Sequence, residues 1–151
     1  MDARILQLLI DRAQEHRDDA ARLSSQARRE RDAAQVTLRT LTEYRDESLN
    51  RGPTRSGQLV NVEQIRIAGY FDNRLIAAIT QQSGTHADHE ERVGERDTEL
   101  REMQRRLKAL ETLSQRRASA AEKKGARREQ RLLDEFANDI AARRGPGKEQ
   151  K

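Results

Sequence analysis

The residues best equipped for chemistry are three histidines and 26 carboxylates in a chain of 151 residues that has no cysteine. His86, His89 and Glu90 fall on one helical face and have the donor types of a metal site. A metal needs a third convergent ligand at a suitable spacing, and none follows. Both histidines also sit on seven-residue lines in the weakest part of a coiled-coil pattern, so they read as seam residues, and His16 reads the same way. The carboxylate pairs Asp18-Asp19 and Glu90-Glu91 are adjacent along a helix, so their side chains point apart into solvent, and a two-helix rod supplies no pocket to gather them. No glycine-rich phosphate loop follows a strand, because no segment reads as one. The expectation is therefore a protein that is not an enzyme, with no catalytic group, metal or cofactor.

Charge offers the next candidate. The chain carries +4 overall, with a net −1 over residues 1–50, −2 over 51–100 and +7 over 101–151. Any acidic partner would be met in the last third. Leucine-zipper DNA readers carry their basic region before the heptads, whereas here Arg116 to Arg131 follow the leucines and are interrupted by Glu122 and Glu129. That order favours a solvated face, with a contact surface for an acidic protein next. A basic coiled coil that binds nucleic acid through Arg105 to Arg131, and a self-associating coiled coil, are the alternatives from other classes.

The elements that must hold these residues are helices. With 34% hydrophobic, 3% aromatic and 37% charged residues, the chain cannot build an ordinary globular core and must pack helix on helix. The fold class read is all-α: two long helices, about 3–49 and 61–142, in an antiparallel coiled-coil hairpin. A bend over 50–60 joins them, making 1–144 a single coiled-coil domain, and 145–151 a disordered tail. Gly52-Pro53 and Ser56-Gly57 supply the turn chemistry. Asn61 and Gln64 are placed to form a capping box. Met1 to Leu6 gives only a short apolar run before Asp11, neither a signal peptide nor a membrane span.

In the first helix Leu6, Ala13, Ala20, Ala27, Ala34, Leu41 and Ser48 make one seam line, with Leu9, His16, Leu23, Glu30, Thr37 and Tyr44 as its companion. In the second, the lines are Ile65, Asp72, Ile79, His86, Val93, Leu100, Leu107 and Ala68, Leu75, Gln82, His89, Arg96, Met103, Leu110. Ser83-Gly84 is expected to be a soft point. Folding at the bend sets Leu6 and Leu9 opposite roughly Leu100 to Leu107. Everything beyond about Leu113 then has no partner in the chain, so the C-terminal helix overhangs. Near the bend, Leu41 and Tyr44 come beside Phe71, Leu75 and Ala78, either as a plug that staples a weak coiled coil or as a surface for a partner.

Asp18-Asp19-Ala20-Ala21-Arg22-Leu23, Arg28-Arg29, Leu41 to Glu47, Phe71 with Leu75, Ala78 and Ile79, and Arg128-Glu129-Gln130 leading into Asp134 to Ala137 together resemble the FliJ family of flagellar export proteins, in order over nearly the whole chain. The resemblance implies a stalk-like, non-enzymatic component of the flagellar type III export apparatus. It would couple the hexameric export ATPase to the cytoplasmic domain of the export gate protein and escort export chaperones, with no nucleic acid among its partners. Its place would be the cytoplasm, at the inner membrane of the flagellar base, reached only through partners. Position by position, the gate contact falls on Leu41, Tyr44, Phe71, Leu75 and Ala78, and the ATPase contact on Leu6, Leu9, Leu133 and Phe136. Thr37, Ser48 and Gln82 depart from the family pattern beside the gate contact.

Overall fold

A chain dominated by Ala, Leu, Gln, Glu and Arg loses little side-chain entropy in a helix, and the computed structural model is built accordingly. It describes residues 1–52, 59 and 61–145. Among these are two helices and no strand: α1 (Ala3–Asn50) and α2 (Val62–Arg144). The Asp2 side chain accepts the Arg4 N–H at 3.3 Å, opening α1 with a cap. At its far end the Gly52 N–H donates to the Leu49 carbonyl at 3.4 Å. A Cβ at Gly52 would lie 3.3 Å from the Ser48 carbonyl oxygen, so this last turn closes tightly because the residue is glycine. Pro53 and Ser56-Gly57, on which the bend was expected to turn, lie outside the described residues.

Asn61 caps the start of α2, and Gln64 closes the reciprocal half of a capping box. The Asn61 side chain accepts the Glu63 N–H at 3.3 Å, and the Gln64 side chain accepts the Asn61 N–H at 3.4 Å. Helix α2 then runs unbroken through Ser83-Gly84, so the expected soft point is helix like its surroundings. It closes on Gly145, whose φ of 66° is the left-handed conformation glycine supplies at a helix C-terminus.

The chain divides into two compact units, one formed by Met1–Arg12 with the chain from Arg106 onward, the other by Ala13–Arg105. In the second unit the helices are antiparallel, because later residues of α1 meet earlier residues of α2: Ser24 meets Asp97, Ala34 meets Gln82, and Arg45 meets Asp72. The buried positions Ala20, Ala27, Ala34, Leu75 and Val93 form its apolar seam. Three of the five are alanine, so little apolar area leaves water along most of the seam.

Polar pairs fill the remainder of that seam. Ser24, 4% exposed, donates its hydroxyl to Asp97 at 2.6 Å, and Arg28 reaches the other oxygen of the same carboxylate at 2.5 Å. The Ser24 hydroxyl first, then the Arg28 guanidinium, hold Asp97 below the usual carboxylate pKa, outweighing partial desolvation. Arg45 grips Asp72 with two nitrogens, at 2.8 and 3.3 Å, and this bond pushes the guanidinium pKa further up. Gln82 donates to the Ala34 carbonyl at 3.1 Å.

These pairs correct the sequence reading of α1. Its first seam line, Leu6 to Ser48, is buried or half-buried throughout, but the expected companion Leu9, His16, Leu23, Thr37 and Tyr44 faces solvent, and of that line only Glu30 is half-buried. The true companion lies one residue later, at Ile10, Arg17, Ser24, Arg31, Leu38 and Arg45. Both lines expected in α2 face inward, Ile65 excepted.

In the first unit, Leu6, Ile10 and Leu107 are buried together with half-buried Leu110. The Arg117 guanidinium donates to the Met1 carbonyl. The start of α1 thus lies against residues of α2 past Leu113, a stretch expected to have no partner. Ser114 is the last half-buried position, and every described residue from Gln115 on is exposed.

Candidate functional site

The second unit carries an aromatic surface. Tyr44 and Phe71 meet edge to face across the two helices, with ring centroids 6.0 Å apart and planes at 81°, the arrangement that ring quadrupoles favour. The contact leaves both rings open to solvent, Tyr44 at 54% and Phe71 at 39%. The Arg45–Asp72 fork, one residue on from each ring, fixes the two backbones beneath them. Of the other residues assigned to this surface, Leu41 and Ala78 are half-buried, while Leu75 at 8% exposure belongs to the seam. Leu75 is therefore packed in the seam beneath the surface.

Two side chains that the sequence reading passed over enlarge the surface. Ile67 and Tyr70 are well exposed, and the Arg74 guanidinium lies 6.0 Å from the Tyr70 ring centroid. The signal was present in the spacing, since positions 67, 70, 71 and 74 share one side of a helix. Beside the surface, Ser48, Leu49, Gly52, Ile65, Ala68, Gly69 and Asp72 line a shallow groove.

The first unit holds the second candidate surface. Leu6, assigned to a partner contact, is 4% exposed and packs inside the unit. Leu9 is exposed, as are Ile5 and Leu8, two residues the sequence reading left out. Leu133 and Phe136 are exposed on the uncovered part of α2, together with Leu132 and Ile140. Leu133 lies 19 residues beyond Ser114, about 28 Å along the helix axis, so Leu6 and Leu9 do not gather with Leu133 and Phe136 into one patch.

The comparisons with known proteins bear on what these surfaces serve. A family model described as "Flagellar FliJ protein" matches residues 3–146. The flagellar FliJ protein of Escherichia coli (strain K12) is 32% identical over 141 residues, covering 92% of this chain and 95% of its own. That of Salmonella typhi is 31% identical over 139 residues, with the same coverage. The chain belongs to the FliJ family. It is thus a component of the flagellar export machinery, in the province of flagellum biogenesis, protein transport and motility.

Membership in the FliJ family also puts the histidines in context. His89 Nδ1 stands 3.8 Å from Glu30, whose carboxylate also faces Arg92 at 3.6 Å, and His86 stands 4.0 Å from Glu90. No three His, Asp or Glu side chains gather as a metal site among the described residues. The two histidines are half-buried seam residues of a FliJ-family coiled coil. Among the described residues no helix is long and apolar enough to cross a membrane.

Proposed function

We propose that this FliJ-family chain is a non-enzymatic coupling component that connects the hexameric export ATPase to the cytoplasmic domain of the export gate protein. The observation that carries the reading is the placement of bulky apolar side chains outside the packed seam. Tyr44, Phe71 and Tyr70 stand open in one unit, and Leu9, Leu133 and Phe136 in the other. Exposed aromatic and leucine clusters on otherwise charged helices are what protein partners recognise.

In this reading the gate protein takes Tyr44 and Phe71, with Leu41 and Ala78 at the margin and Leu75 supporting. The ATPase takes Leu9, Leu133 and Phe136, while Leu6 holds the start of α1 in place. Differential contacts with successive ATPase subunits would bias their nucleotide states. The protein would work in the cytoplasm and reach the inner membrane only through these partners. Escort of export chaperones belongs to the same reading and is tested by co-purification with them.

Two measurements test the coupling. Co-purification with the export ATPase should give a complex, and adding the chain should raise ATP hydrolysis; no complex and no stimulation would remove that half. Tyr44→Ala with Phe71→Ala should weaken gate binding at least tenfold while helicity by circular dichroism is kept. Lost helicity would make the ring pair a staple instead of a contact.

A further inference from the structure

Beyond Ser114 the charges of α2 are sorted by side. Residues 116–131 carry seven Lys and Arg against Glu122 and Glu129, a net +5. At about 100° per residue the seven cations fall within an arc of about 140°, and both glutamates fall on the opposite side. All nine side chains are exposed. Lys123, Lys124, Arg127, Arg128 and Arg131 line one groove with Ala120, and none of these five cations has a carboxylate partner among the described residues.

This order weakens the helix that carries it. Opposite charges four residues apart strengthen an isolated helix, and like charges at that spacing weaken it. Neither Glu122 nor Glu129 has a Lys or Arg three or four residues away, whereas Lys123 and Arg127, Lys124 and Arg128, and Arg127 and Arg131 each stand four apart. A face that met only water would gain from mixed signs. The same spacing shapes the groove: Lys123 and Arg127 edge one side, Lys124 and Arg128 the other, and Ala120 falls on the line between them.

We infer that this groove takes the acidic ridge of a helix from another protein, one that carries carboxylates three to four residues apart along one side. Such a row is narrow enough to lie between the two lines of cations, and Arg127 and Arg128 can each hold a carboxylate through two N–H groups. The stripe ends at Arg131, because Asp134 and Glu135 fall on the same side. From Arg116 it is about 22 Å long, roughly four turns of a partner helix. Other anions fit less well. A single strand of nucleic acid is held by stacking its bases on aromatic rings, and the chain has none between Phe71 and Phe136. A bilayer takes up the apolar side of a helix, and here Leu133, Phe136 and Ile140 lie opposite the cations.

This contact does not rest on the ATPase reading. Leu133 and Phe136 face the other way, so an acidic helix in the groove leaves them uncovered. Exposed charges are screened by salt. The binding is accordingly weak, reversible and salt-dependent, and it selects for the spacing of the carboxylates as well as their number.

Fluorescence anisotropy of labelled synthetic helical peptides, titrated with the full chain, tests the inference. A peptide with glutamates along one side should bind at low salt and lose about tenfold or more in affinity by roughly 0.5 M salt. The same peptide with glutamine for glutamate should bind about tenfold more weakly, as should an isomer with the same glutamates spread around the helix. Lys124→Glu/Arg127→Glu/Arg128→Glu should lose the acidic peptide and gain its lysine counterpart, while helicity by circular dichroism is kept. No binding of the one-sided peptide, equal binding of the spread isomer, or charge reversal without effect would each overturn the acidic-helix partner. Tighter binding of duplex DNA or of phosphatidylserine vesicles than of the peptide at the same salt would put nucleic acid or a membrane in its place.

Discussion

The second unit and the uncovered arm of the first use opposite materials. Between Ala13 and Arg105 the buried seam is mostly alanine, serine and paired charges, with Leu75 and Val93 among them, whereas beyond Ser114 leucine and phenylalanine stand in water. All four aromatic rings, Tyr44, Tyr70, Phe71 and Phe136, are on the exposed side of the ledger. In a chain that has so few large apolar groups, leaving them outside while alanine fills the interior separates two tasks. Small residues and ion pairs hold the helices together, and large ones are left for contacts with other chains.

The sharpest way to break this contrast is to hollow the largest buried residue of the second unit. Leu75→Ala should cost about 2–3 kcal/mol, toward the lower end for core leucines because a two-helix seam collapses easily around the gap. Urea unfolding followed by circular dichroism reads it, and a cost near zero would mean that the seam does not depend on Leu75.

A smaller effect should come from the buried polar pair, and it should depend on pH. Asp97 has a pKa below its unfolded value, so its stabilising share is complete above the unfolded carboxylate range and fades as pH falls through the folded value. Asp97→Asn should thus lower the melting temperature at neutral pH, and the two curves should converge in acid. Parallel curves from neutral to acid pH would show that the carboxylate charge contributes nothing.

The smallest effect belongs to the arm. Leu133→Ala with Phe136→Ala should change unfolding free energy by less than about 0.5 kcal/mol, as expected for exposed positions. A larger loss would place these residues inside a packed core and dissolve the contrast.

Much of this was legible in the sequence. Turn chemistry, helix formers and seven-residue spacing pointed to two long helices, and Asn61 with Gln64 marked the start of α2. The capping box is local, so the residues that form it are also the ones that reveal it. Both seam lines of α2 followed from its apolar spacing. The second line of α1 did not, because Leu9 and Leu23 look more like seam residues than Ser24, Arg31 or Arg45. What buries Ser24 is a carboxylate 73 positions away, and what anchors Arg45 is Asp72. Hydropathy along one helix carries no trace of such cross-helix partners. The exposed surfaces were half legible. Tyr44 and Phe71 announced themselves by rarity, whereas Leu6 and Leu75, which the seven-residue spacing sets in the seam, were drawn into the contacts by the family resemblance and are buried in the fold.

Ala20, Ala27 and Ala34 recur at intervals of seven, and this regularity has a mechanical side. Shifting one helix past the other by one repeat, about 10 Å, would set alanine where alanine had been and cost the apolar seam very little. The bonds from Ser24 and Arg28 to Asp97, from Gln82 to Ala34 and from Arg45 to Asp72 do not repeat at that interval. They act as notches on an otherwise smooth slide, and the alignment of the two helices is written in these few polar residues.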